Sequence, residues 1–139
     1  MSEPTTLDLC KETLARISKA KMPAIRGLPS NEKIDKLESY LIDTAIFRQE
    51  AHEAKLLVQE ALDQLQGEWD DIEGWEIELP TASKRTQADV VQAKRQVKPD
   101  LYSSIQTGKR LVDRLSEQIK RLEKDDNVSS RAYTLITGG

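Results

Sequence analysis

The feature that most constrains this chain is an uninterrupted run of apolar and small residues at alternating steps of four and three: Leu101, Ile105, Gly108, Val112, Leu115, Ile119 and Leu122. Residues with this spacing form one stripe along an α-helix, and the stripe must be covered by another helix. The run therefore predicts an amphipathic, coiled-coil-type helix over about 99–124, and it is the expected assembly seam. Gly108 within the seam would let a neighbouring backbone approach closely.

Two further helices are readable upstream. Leu7, Cys10, Leu14 and Ile17 fall at steps of three, four and three, which predicts a first helix from about Thr6 to Lys19, capped by Thr5 or Thr6 with Asp8 in its first turn. Pro23, Gly27 and Pro29 then interrupt helicity. Ser30 is the expected N-cap of a long second helix ending near Gln66, with Gly67 in the position of a C-cap glycine. Its apolar residues form two neighbouring groups. One contains Ile34, Leu37, Leu41, Ala51, Val58, Leu62 and Leu65, and the other Tyr40, Phe47, Ala54, Leu57 and Ala61. Two apolar faces on one helix suit a bundle or an oligomer of more than two subunits better than a two-stranded zipper.

Between the long helices the sequence changes character. Residues 67–79 hold both tryptophans and no basic residue, and Trp75, Ile77 and Leu79 alternate as in a strand or a packed loop. Thr86 and Asp89 resemble a capping box for a short third helix reaching about Val97. The tail from Asn127 has no helical stripe and is expected to be flexible or strand-like. The fold class is thus all-α: an elongated bundle or coiled coil with two long helices. Residues 1–29 form an N-terminal helix and linker, and 30–139 a hairpin-like domain with an acidic insertion at 67–80. One Phe, two Trp and three Tyr are little aromatic mass for a compact globule of 139 residues, which supports that reading.

Chemistry has few candidates. Cys10 is the only cysteine, so a thiolate zinc cage lacks its parts. His52 is the only histidine, the one candidate for a nucleophile and histidine pair, and it reads instead as an exposed or satisfied structural residue in mid-helix. Cys10 reads as a small buried hydrophobe. Asp70, Asp71 and Glu73 lack the spacing of a calcium loop, and Gly67, Gly74 and Gly108 are isolated rather than gathered into a phosphate cradle. Catalysis, a metal and a cofactor are all unsupported. No apolar run is long enough to span a bilayer and the N-terminus is polar, so a cytoplasmic protein is expected.

Charge is the more informative quantity. The net charge is −3, yet residues 31–80 hold 4 basic and 14 acidic side chains while residues 84–124 hold 11 basic and 5 acidic. The basic half could face a polyanion despite the acidic whole, or it could neutralise the acidic half. Lys84, Arg85, Lys94 and Arg95 crowd the third helix, while Arg110, Arg114 and Arg121 lie on the fourth away from its seam. These seven are the candidate nucleic-acid-binding residues.

A long helix ending in Leu62, Asp63 and Gly67, followed by a variable middle and a C-terminal amphipathic helix running into Arg131, Ala132, Tyr133, Thr134 and Leu135, resembles the UvsY-type recombination mediators of phages. The resemblance implies a small helical protein without enzymatic activity. It implies oligomerisation through C-terminal helices, binding of single-stranded DNA and assistance to a RecA-like recombinase, in the bacterial host cytoplasm. Members of that family carry basic residues just before the Leu-Asp step, where this chain has Gln59, Glu60 and Ala61. A DNA contact would therefore move to the third helix or to the outer face of the fourth. The alternative is a phage structural or scaffold protein, or a small protein-binding inhibitor that uses its acidic segment.

Overall fold

The computed structural model describes residues 5–72 and 87–138. Four helices make up the fold: α1 (Thr6–Ser18), α2 (Ser30–Asp70), α3 (Gln87–Val97) and α4 (Pro99–Thr137). No strand occurs among the described residues. The alternating segment at Trp75 and the capping pair begun by Thr86 lie outside them. None of the helices is long and apolar enough to cross a membrane.

α1 begins with a complete capping box: the Thr5 hydroxyl accepts from the Asp8 amide, and the Asp8 carboxylate accepts from the Thr5 amide, both at 3.2 Å. Hydrogen bonding of the Asp8 carboxylate with the Thr5 side chain, and with the Thr5 amide, holds that carboxyl below its ordinary pKa. The chain then turns through Gly27, whose φ of 85° lies in the left-handed region that glycine enters without strain. Pro29, not Ser30, occupies the N-cap of α2, and Ser30 is the first helical residue. α2 does not stop at Gly67 but continues to Asp70 and is capped by Asp71. A glycine inside a helix costs about 1 kcal/mol. The packing of Leu65, Trp69 and Ile72 against α4 offsets that cost, since all three join Leu101 and Ile105 in one apolar cluster.

α2 and α4 run antiparallel. Tyr133 reaches Glu38, Tyr40 reaches Asp125, and Gly108 meets Leu62, so positions ascending α2 descend α4. α1 lies across the pair, and Cys10 and Ile17 share a core with Ala51, Ala54, Val58, Leu111, Leu115, Ile119 and Leu122. Cys10 is buried as expected. Its thiol points to the Ala54 carbonyl at 3.5 Å, and burial raises its pKa.

The seam of α4 is filled within one chain. Leu101, Ile105, Gly108, Leu115, Ile119 and Leu122 are buried against the other helices, so they build the subunit and are not available as a contact between subunits. The stripe also drifts. Leu111 is 3% exposed, whereas Val112 is only partly buried. An α-helix advances 3.6 residues per turn, so a strict seven-residue repeat rotates around it.

α4 continues thirteen residues past Lys124 and takes in the segment from Asn127, where a flexible or strand-like tail was expected. Its inward side changes from apolar to polar at that point. The Tyr40 hydroxyl donates to Asp125 at 2.6 Å, the Thr44 hydroxyl lies 3.4 Å from Asp126, and the Arg48 guanidinium lies 3.8 Å from Asp126. Ser129 is fully buried one turn further on. Burial, together with the bond to the Asp125 carboxylate, pushes the Tyr40 phenol up to about 12.

Candidate functional site

Two places gather basic side chains. The first is a groove of about 670 Å³ between α1 and α4. Lys11 of α1 and Arg110 and Arg114 of α4 line it, with Ser18 and Thr107 supplying hydroxyls and Leu14 and Leu111 an apolar floor. Glu117 brings a carboxylate to the same wall. Lys11, Arg110 and Arg114 are exposed, and neither arginine forms an ion pair with a described residue. The α4 seam faces α2, so Arg110 and Arg114 are left on the side of α4 over which α1 crosses. Lys11 is the residue that sequence reasoning missed. It sits on α1, whose position beside α4 depends on the shared core and not on any spacing along the chain.

The second place is the end of the bundle where α2, α3 and α4 meet. Trp69 and Tyr102 pack with ring centroids 5.7 Å apart and planes tilted by 45°. Lys94 sits 5.8 Å from the centroid of the Trp69 ring and donates to the Trp69 carbonyl at 3.2 Å. The Arg95 guanidinium lies 4.7 Å from the centroid of Tyr102. Cation–π contacts of this kind hold α3 onto the bundle. They also place aromatic rings beside basic groups, an interleaving that is hard to see in the sequence because Trp69 and Tyr102 stand 33 residues apart.

Along α4 the two places are neighbours. Tyr102, Arg110 and Arg114 lie within about 120° around the axis and roughly 18 Å along it, from 100° and 1.5 Å per residue. Asp113 and Glu117 fall within the same arc, so the strip mixes two carboxylates with its cations. Cations beside an aromatic ring can carry a phosphodiester strand and stack a base.

Arg121 belongs to neither place. Its guanidinium donates to the carbonyls of Ala20 at 2.7 Å and Ile17 at 3.1 Å, to Gln118 at 2.9 Å and to Asp125 at 3.3 Å. It closes the C-terminal end of α1, where carbonyls lack helical partners and a cation is favoured. The expectation that it faces phosphate is therefore corrected: its donors are used within the fold. Lys84 and Arg85 lie outside the described residues. His52 is exposed in the middle of α2. No cluster of metal-ligating side chains occurs among the described residues.

No protein-family model matches this chain, and neither the curated proteins nor the solved structures contain a match.

Proposed function

We propose that this chain is a non-enzymatic, single-stranded-DNA-binding protein that assembles into an oligomer and acts as a phage-type recombination mediator beside a RecA-like recombinase. The observation that carries the DNA contact is the α1–α4 groove, where Lys11, Arg110 and Arg114 converge over an apolar floor. A cationic channel gains affinity by releasing counterions from the phosphates, whatever the sequence of bases. Lys94 and Arg95, beside the Trp69 and Tyr102 rings, offer a second cationic place at the bundle end, outside the lining of that groove. The mediator role adds to this the UvsY-like order of features along the chain, and the recombinase partner rests on that resemblance alone.

Fluorescence anisotropy with a labelled oligothymidylate, at low salt and tens of micromolar protein, tests the reading. Saturable binding that weakens when Lys11, Arg110 and Arg114 are changed together to Ala supports it. Absence of binding would favour the protein-binding alternative.

A further inference from the structure

The outer face of α2 is apolar and acidic at once. Ile42, Ile46, Gln49, Glu53, Leu56 and Glu60 follow one another at alternating steps of four and three, the spacing of a coiled-coil seam. Ile42 and Leu56 are each 61% exposed and Ile46 is 49% exposed. The buried stripe of the same helix, with Leu37, Thr44, Ala51 and Val58, lies about half a turn away around the axis. α4 of the same chain packs on that buried side, so it cannot cover the outer seam.

Charge restricts what can cover it. A second α2 brings no cation to this seam. Set parallel it places Glu53 on Glu53 and Glu60 on Glu60, where like charges repel, and set antiparallel in the matching register it leaves Glu53 opposite Gln49 and Glu60 opposite Ile42 with no ion pair formed. Residues 73–80 of the chain carry Glu73, Glu76 and Glu78 and would meet the same repulsion. The C-terminal part of α4 has the complementary chemistry. Lys124, Val128, Arg131 and Leu135 follow at steps of four, three and four, and all four are exposed, Leu135 to 83%.

We infer that the outer seam of α2 is the docking surface for the C-terminal stripe of α4 from a second copy of this chain. Set antiparallel, the two step patterns match: Arg131 meets Glu53, Val128 meets Leu56, Lys124 meets Glu60, and Leu135 falls beside Gln49 and Ile46. The two surfaces differ, so the contact is heterologous and propagates from copy to copy until a ring closes or a filament grows. The inference rests on the assembly proposed above and not on the DNA contact.

Light scattering and native mass spectrometry on the full chain, with circular dichroism for helicity, test it. An oligomer is expected in the micromolar range. Leu56→Glu and Leu135→Glu, both at exposed positions, should each return the mass to the 15.7 kDa of one chain with helicity unchanged. Glu53→Arg and Arg131→Glu should each weaken association by about tenfold or more, and the double variant should restore it. A wild-type monomer throughout that range, an oligomer that survives both leucine substitutions, or a double variant that stays dissociated would each overturn the inference. Anisotropy with the labelled single strand separates this from the DNA reading: assembly without DNA binding leaves the surface standing and removes the DNA contact, and DNA binding by a wild-type monomer does the reverse.

Discussion

Gly108 of α4 lies so close to Leu62 of α2 that a Cβ built on the glycine would come within 2.5 Å of Leu62 Cδ2 and 3.0 Å of its Cγ. Leu62 itself packs against both apolar clusters, so it has little room to retreat. The absent side chain is what lets the two long helices approach at this level.

Gly108→Ala should therefore destabilise the fold by about 1 kcal/mol, because overpacking at about 1–3 kcal/mol exceeds the 0.5–1 kcal/mol gained in helix propensity. In a Leu62→Ala background the same change should stabilise, since the clash is gone and the propensity gain remains. Urea titrations of the four proteins in this cycle check the reversal of sign.

The polar layer near Asp125 gives a second expectation. Tyr40→Phe removes the 2.6 Å bond to that carboxylate and should cost about 1–2 kcal/mol at neutral pH. The Tyr40 phenol is raised from 10 to about 12 in the fold. A group whose folded pKa is raised gives stability that is complete below the unfolded value and is lost as pH rises through the folded one. The contribution of Tyr40 should thus hold up to pH 10 and disappear between 10 and about 12, alongside a tyrosinate absorbance step that Tyr40→Phe abolishes.

How much of this was readable beforehand differs along the chain. The run from Leu101 to Leu122 predicted α4 because every inward position was apolar or small. Beyond Leu122 the inward side continues with Asp125 and Asp126, which meet Tyr40, Thr44 and Arg48 of α2, and with the buried Ser129. A seam built of polar residues is invisible to a search for hydrophobic periodicity, and so the part of α4 from Asn127 looked irregular. Gly67 misled for a related reason, since its local preference for a cap was overridden by the packing of Trp69 and Ile72. At the candidate site, Arg110 and Arg114 were legible as outward cations. Lys11 and the structural use of Arg121 were not, because both follow from where α1 crosses α4.

Arg121 and Arg114, two turns of one helix apart, should separate cleanly. Arg121→Ala leaves the end carbonyls of α1 and the Asp125 carboxylate short of donors, and a stability loss of about 1.5–3 kcal/mol is expected. Arg121→Lys should recover little of it, because an ammonium lacks the planar fork that reaches several acceptors at once. Arg114→Ala, at an exposed position without an ion pair, should stay within about 0.5 kcal/mol of the parent. Thermal melts followed by circular dichroism distinguish the two.

Leu115→Asp should unfold the subunit rather than merely dissociate it. Leu115 is fully buried in the core shared by α1, α2 and α4, and an unpaired carboxylate there costs several kcal/mol against a typical domain stability of about 5–15 kcal/mol. Loss of helical signal is the expected reading, and a fully helical variant would remove Leu115 from the core.

The proposed contact with nucleic acid is tested most directly by the salt dependence of oligonucleotide affinity. Each phosphate contact on a single strand contributes about 0.7 to the slope of log affinity against log salt, so replacing Lys11, Arg110 and Arg114 with Ala should flatten that slope by about two units. The variants should remain as helical as the parent, since all three side chains are exposed. Binding by the parent with a slope that the triple replacement flattens by this amount is the predicted result. An unchanged slope would place the strand elsewhere on the molecule, and a parent that binds no single strand at tens of micromolar would contradict DNA binding altogether.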